Sequence, residues 1–251
     1  AAAPWIAYAT SAGLIGLGMI LISRIKLKII SAPTVKTERP TLHSAMEGLR
    51  FIRRTPILLA AISLDLFAVL FGGAIALLPV IAKDQLMVSD VAYGWLRASV
   101  GIGAASTAAF LAFRPIRRHV GRSMLIAVAV FGLGTVVLGL TSNYWVAFFA
   151  VMILSAGDMI SVFVRGAIVP LVTPDDKRGR VSAVENVFIG ATNELGAFES
   201  GAMSQLVGVK STVVGGGIAT LGVVGIFWYK FKQLRNIDTF DELSAEESTT
   251  K

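Results

Sequence analysis

The sequence predicts an all-α integral membrane protein of about seven transmembrane helices, and three observations carry that prediction. Of the 251 residues, 55% are hydrophobic and only 16% charged, whereas a soluble domain carries roughly 25% charged residues. Seven stretches, about 4–23, 56–82, 92–113, 123–141, 144–172, 181–207 and 211–229, reach the roughly 20 mostly apolar residues that a bilayer core demands. Basic residues crowd every second connection between these stretches. Strand-length runs of strict alternation do not occur, so the spans are helices and not strands of a barrel.

The first stretch, 4–23, is followed by the only long polar segment between spans, 24–55, which divides the chain. The opening Ala1-Ala-Ala-Pro-Trp5 has neither an initiator Met nor a charged region ahead of the apolar run. The expectation is therefore a chain cut from the interior of a longer protein, not a signal peptide. Within 24–55, Leu42, Ala45, Met46, Leu49 and Ile52 recur at helical spacing opposite Glu47, Arg50, Arg53 and Arg54. That pattern describes an amphipathic helix along the inner surface, with Ser44 and Glu47 in capping-box spacing. A solvated linker and a specific lipid or protein contact both fit it.

Six spans with short connections follow Pro56, which could form two inverted groups of three, so 56–230 is predicted to be one six-helix bundle. Lys and Arg gather in the connection before it (Arg24, Lys26, Lys28, Lys36, Arg39, Arg50, Arg53, Arg54), at Arg114, Arg117, Arg118 and Arg122, at Lys177, Arg178 and Arg180, and at Lys230, Lys232 and Arg235. The alternate connections hold Lys83, no cation, and Lys210. The positive-inside rule places the basic connections and the C-terminus in the cytoplasm. The net charge of +7 and pI near 9.9 therefore reflect membrane topology, with the lipid bilayer as partner and no nucleic acid. Two basic turns look alike: Arg117-Arg118-His119-Val120-Gly121-Arg122 and Asp176-Lys177-Arg178-Gly179-Arg180. Their glycines permit tight reversals and their arginines suit an anionic leaflet. Simple anchoring and a gating role both remain open. The last segment, 231–251, is acidic from Asp238 to Glu247, lacks apolar periodicity, and is expected to be a disordered cytoplasmic tail.

Charged side chains inside spans are costly, about 2.5–3.5 kcal/mol each at a helix centre, so Asp65, Arg97, Asp158, Arg165, Glu185, Glu194 and Glu199 point to function or pairing. Counting depth at about 1.5 Å per residue puts Arg97 and Glu199 in the outer third, and Arg165 and Glu185 in the inner third. Two interhelical ion pairs are expected from those matched depths. Asp65, Asp158 and Glu194 fall near the midplane with no cation at their level. A carboxylate short of hydration takes up a proton readily, which makes them candidates for proton carriage or for contact with a cationic substrate group. Ser155, Asp158, Ser161 and Arg165 share one helix face, and Asn186, Asn193 and Glu194 with Gly190 and Gly196 form another stripe. Such stripes face protein or water, either as site or as packing. Gly72-Gly73 with Pro79, Gly101 and Gly103, and Gly215-Gly216-Gly217 mark close packing or bending.

No cysteine is present, which excludes thiolate metal sites and cysteine nucleophiles. Neither His43 nor His119 lies in a span, and no serine-elbow, zinc or phosphate-loop motif occurs. No metal, no cofactor and no enzymatic activity are expected.

The stretch from Gly157 to Gly201, with Gly-Asp-Met-Ile-Ser-Val-Phe-Val-Arg-Gly, Thr-Pro-Asp-Asp-Lys-Arg-Gly-Arg-Val-Ser-Ala-Val and Asn-Glu-Leu-Gly-Ala-Phe-Glu-Ser-Gly, resembles the enterobactin-exporter type of major facilitator transporter. Ser63-Leu-Asp-Leu-Phe-Ala-Val-Leu-Phe-Gly-Gly73 is similar as well. The resemblance covers helices six to twelve of a twelve-helix fold. It implies that 1–23 is the last helix of an N-terminal half missing here, 24–55 the linker between halves, and 56–230 the C-terminal half. It makes Arg117 to Arg122 a cytoplasmic gating loop, although Pro115 and Ile116 stand where the family carries an acid, and Ala197 replaces a frequent glutamate. The implied activity is proton-coupled export of a siderophore or amphiphilic drug across a bacterial inner membrane, with substrate, protons and the missing half as partners. A membrane enzyme and a non-transporting receptor or scaffold are the competing classes.

Overall fold

The computed structural model describes residues 4–24 and 42–243 and divides into two units, 1–39 and 40–251. The cations at 25–41, the Ser44 side chain of the expected capping box and the acidic residues beyond Leu243 lie outside the described residues. In the first unit, α1 (Pro4–Ser23) is apolar on every face and carries no charge. The Ser23 hydroxyl donates to the Ile20 carbonyl at 2.8 Å where the helix ends.

The second unit begins with α2 (Leu42–Arg54), whose apolar face buries Ile52. Thr55 then links it to α3 (Pro56–Phe71), where Pro56 occupies the first turn, the position at which a missing N–H costs nothing. The stretch 56–82, expected as one helix, is interrupted. Beyond Gly72 come a 3₁₀ turn (Gly73–Ile75), a single turn α4 (Leu78–Val80) and a π turn (Ile81–Gln85). Pro79 lacks the N–H that would continue the helical ladder, and the paired glycines supply no side chain to hold it. The freed segment is anchored by Gln85, whose amide donates to the carbonyls of Leu138, Gly139 and Thr141 at 3.3, 3.1 and 2.6 Å.

The remaining helices are α5 (Asp90–Phe113), α6 (Val120–Leu140), α7 (Tyr144–Val172), α8 (Asp175–Val207), α9 (Val209–Lys230) and the short α10 (Lys232–Asn236). Ser89 and Asn143 cap α5 and α7 by accepting from backbone N–H groups of the first turn. Tyr144 on α7 donates to the Ala92 carbonyl on α5 at 3.0 Å. α6 packs most broadly, against α7 and α9, while α5 covers the other flank of α7 and α8 lies against α2, α3 and α9.

Two buried apolar clusters occupy the two ends of the bundle. One includes Leu58, Leu64, Leu125, Ile168 and Val181, and the other Leu78, Leu96, Leu138, Leu154 and Val213. On α7 the buried members of the first cluster begin at Val164 and those of the second end at Leu154, with Ser155, Asp158 and Ser161 between them.

Length and apolarity together qualify five segments of the described residues to cross a bilayer: Pro56–Gln85, Asp90–Phe113, Val120–Leu140, Tyr144–Val172 and Val209–Lys230. The count of seven is thus not reached on these grounds. α8 is a continuous helix of 33 residues, about 50 Å long, but Glu185, Glu194, Glu199 and its amide side chains dilute its apolarity. In α1 the part whose side chains are described, Tyr8–Ser23, is apolar as well.

Residues 231–243 also depart from expectation. They form α10 and a further short helical segment, with Leu234, Ile237 and Leu243 buried in the first apolar cluster. Their apolar positions are too few for a periodic signal, so the sequence read as a tail. The reversal before α6 also differs from expectation, because His119, not Gly121, takes the left-handed conformation, at φ 55°. Gly121 instead provides close approach, since a Cβ there would overlap the Leu234 carbonyl oxygen. Gly179 lies inside α8 and makes no turn.

Asp238 then caps α6 from outside. Its Oδ1 accepts from the His119 backbone N–H at 3.0 Å and faces His119 Nδ1 at 2.6 Å. Its main-chain oxygen and that of Ile237 accept from Val120 and Gly121 at 3.2 Å. The hydrogen bond from the His119 backbone, with lesser help from the His119 and Arg118 charges, holds the Asp238 carboxyl below its ordinary 3.8. A depressed carboxylate supports the fold in full above its unfolded value and loses that support as pH falls through the folded one. The contact should therefore persist at neutral pH and release only in acid below about pH 4. Asp238→Ala should speed hydrogen exchange at His119, Val120 and Gly121 at neutral pH, and unchanged exchange there would refute the cap.

Close packing of α5 on α7 gives a second expectation. A Cβ at Gly103 would overlap the Met152 carbonyl oxygen, whereas one at Gly222 on α9 meets nothing within 4 Å. Gly103→Ala should cost about 1–3 kcal/mol in thermal melts of the purified protein, while Gly222→Ala should leave the melting temperature unchanged or slightly raised.

Candidate functional site

Within the first apolar cluster, beside Leu64, Val164 and Val184, three helices send charge to one point. Arg165, 6% exposed, extends from α7 with its guanidinium between two carboxylates. One nitrogen lies 3.3 Å from Asp65 Oδ2 on α3 and the other 3.1 Å from Glu185 Oε1 on α8. Ser161, one turn earlier on α7, donates to Asp65 Oδ1 at 3.1 Å. The Arg165 Nε and the Ser155 hydroxyl are buried without a hydrogen-bond partner among the described residues. Arg165 and Glu185 thus meet, as their depth suggested.

Asp65 is different, because the sequence reading gave it no cation at its level. Depth counting treated α3 as unbroken to residue 82 and side chains as points. The interruption at Gly72 shifts the reckoning, and an arginine side chain spans more than a helical turn of height.

Two turns along α7 from Arg165, about 10 Å away by helix rise, Asp158 lines a cavity of about 300 Å³. Arg97 from α5, Phe131 from α6, Asn193 and Ala197 from α8, and the interrupted end of α3 at Val69, Gly72 and Gly73 complete its wall. Arg97 and Glu199 form no ion pair within 4.0 Å. Arg97 faces the cavity, and Glu199 accepts from the Ser200 hydroxyl at 3.4 Å. The Asn193 amide donates to the Ile189 carbonyl at 3.0 Å. Glu194 is exposed and makes no hydrogen bond or ion pair among the described residues.

The two basic connections are built unequally. Arg118 reaches Asp238 at 3.7 Å, while Arg117 and Arg122 are exposed. Arg178 pairs with Asp175 at 2.8 Å and donates to the Pro170 carbonyl at 3.0 Å. Arg180 pairs with Glu47 of α2 at 2.5 Å, and Asp176 is exposed at the start of α8. Sequence reasoning missed Glu47 and Asp238 as partners of these loops. An acid in a polar segment that could meet a basic turn was the available signal in each case. Among the described residues, no group of His, Asp or Glu is placed to hold a metal ion.

Chemically, the arrangement offers one carboxylate and one guanidinium on an accessible wall, backed by a buried triad of net charge −1. Such a wall can hold a cationic, anionic or hydrogen-bonding group of a ligand and can exchange a proton for it. It has no nucleophile paired with a base.

A family described as transmembrane secretion effector matches residues 1–250 of the chain. The multidrug efflux pump Tap of Mycolicibacterium fortuitum is 27% identical over 239 residues, covering 89% of this chain and 56% of that protein. The chain therefore spans about half the length of the curated relative it matches.

Removing one member of the triad strands the others in a medium where lone charge is costly. Arg165→Met should destabilise the protein by about 3–5 kcal/mol, read as a lower melting temperature in detergent. Replacing all three with neutral amides, Asp65→Asn, Arg165→Gln and Glu185→Gln, should recover most of the loss. A wild-type melt for Arg165→Met alone would show that the triad does not form.

Proposed function

The chain belongs to the transmembrane secretion effector family of major facilitator transporters, and from that membership we propose that it is the C-terminal portion of a proton-coupled exporter of small amphiphilic molecules. α1 then closes the preceding half, 24–55 joins the halves, and α3 to α9 with the interrupted segment supply six spans. α8 crosses as one of these, its polar face turned to the cavity and away from lipid. The basic connections and the C-terminus lie in the cytoplasm of a bacterial inner membrane. A multidrug pump among the relatives supports an amphiphilic drug as the substrate class, with the siderophore reading suggested by the Gly157–Gly201 stretch as the narrower alternative.

The observation that carries this reading is Asp158 on the cavity wall beside the break in α3. Interrupted helices in transporters occur where backbone lines a substrate cavity and can rearrange. A cavity carboxylate holds either a proton or a cationic ligand group. Substrate bound from the inside is released outside when a proton takes its place, and the proton leaves inside when the next substrate arrives. Asp65 is engaged by Arg165 and Ser161, which makes it a relay: its protonation would loosen Arg165 and, with it, the join of α3 to α7 and α8. Arg97 opposite Asp158 keeps the wall from favouring cations alone.

In the intact transporter reconstituted in vesicles, Asp158→Asn should reduce efflux driven by an imposed pH gradient to background while substrate still binds. Efflux that keeps its gradient dependence in this variant would remove Asp158 from coupling and pass the role to Asp65 or Glu194.

A further inference from the structure

Away from the cavity, at the end of the bundle that carries the basic connections, α2 and the start of α8 enclose a second polar hollow. Glu47, Arg50, Phe51 and Arg54 line it from α2, and Lys177 and Arg180 from α8, around a volume of about 320 Å³. Gly48 lets the helices come this close, since a Cβ there would stand 2.8 Å from the Arg180 carbonyl oxygen. Residues at i, i+3 and i+4 of a helix share a face, so Glu47, Arg50 and Arg54 all present to the same side. Lys177 sits 5.1 Å from the centroid of the Phe51 ring. Four cations thus share one hollow with a single carboxylate, Glu47, which pairs with Arg180. Arg50, Arg54 and Lys177 form no ion pair among the described residues. Like charges gathered by two rigid helices repel, and an anion between them removes the repulsion.

A second hollow of about 310 Å³ adjoins the first across the Arg50 and Arg54 row, lined by these two, Arg53, Met46 and Leu49. Met46 is 56% exposed, an apolar side chain beside arginines on the outer side of the helix. α2 runs into α3 through Thr55 alone, so both hollows lie at the height where a membrane helix begins. An occupant with an anionic head and an apolar body satisfies both. Free phosphate satisfies only the first.

We propose that the cavity between α2 and the start of α8 binds the phosphate headgroup of an anionic phospholipid, held by Arg50, Arg54 and Lys177, with its glycerol and upper acyl chain along Met46 and Leu49. Guanidinium forks grip phosphate oxygens in pairs, and lysine adds a point charge. The bound lipid acts as a removable strut between the linker helix and α8, so the composition of the adjacent leaflet tunes how firmly α2 is held to the bundle.

The test uses the full-length transporter taken from nanodiscs of mixed phosphatidylglycerol and phosphatidylcholine, with retained lipid read by native mass spectrometry. Wild type should retain phosphatidylglycerol preferentially, and Arg50→Gln with Arg54→Gln should lower that preference on the order of tenfold. Added salt should weaken it, whereas Arg114→Gln on another basic connection should not. Excess inorganic phosphate should not displace the lipid. Equal retention of both lipids by wild type overturns the proposal, as does a preference that survives the double substitution. Displacement by inorganic phosphate alone would mark an adventitious anion site, and cross-linking of Lys177 to an acidic segment elsewhere in the chain would give the hollow a protein occupant. Either result refutes the lipid. If the double variant does not fold, Lys177→Gln and the wild-type salt titration decide the same question.

Discussion

A guanidinium enclosed by three helices with two carboxylates constrains how this bundle can be assembled. Unpaired charge in a low-dielectric interior costs several kcal/mol, so α3, α7 and α8 must meet where Asp65, Arg165 and Glu185 coincide. That meeting point fixes their rotation about their own axes more tightly than apolar contacts would, because leucines slide and ion pairs do not. It also leaves one acid in excess and one Arg165 nitrogen unsatisfied. The joint is therefore specific without being maximally stable.

Two irregularities of the fold meet at the cavity lined by Asp158. α3 stops at Phe71 and resumes in short turns, and α8 carries carboxylates and amides along a helix of 33 residues. In isolation α8 would be a poor membrane span, whereas Pro56–Gln85 is apolar enough to be one. Side by side they form a common wall: α8 brings Asn193 and Ala197 to the hollow into which the broken end of α3 opens. The apolar clusters at the two ends need no such compensation and consist of ordinary aliphatic packing.

How much of this the sequence disclosed depends on what each signal measures. Long apolar runs gave the α-helical class and located α5, α6, α7 and α9 to within a few residues, because lipid imposes a length and a composition. Depth matching brought Arg165 to Glu185, since both sit at a similar distance from the ends of regular helices. It missed the partner of Asp65, because an arginine side chain reaches across more than a helical turn, and Arg97 and Glu199, matched in depth, form no direct ion pair. Rotation about a helix axis is settled by the packing of the whole bundle, and no local pattern encodes it. The contacts of Asp238 and Glu47 were hidden for a related reason: each pairs with a residue more than a hundred positions away, and a single acid in a polar segment looks the same whether docked or solvated.

The docked segment after α9 also bears on how the protein is made. Leu234, Ile237 and Leu243 are buried in the same cluster as Leu58 and Val120, near the entry points of α3 and α6. Membrane helices are inserted in order as they are synthesised, so α3 through α9 can all be in place while this cluster still has an open side. A nascent chain stalled just beyond Lys230 would show its surveillance machinery an apolar cleft and an uncapped α6. Closure of that cleft requires the chain through Leu243, so the last part of this cluster to form is also the last part to be synthesised.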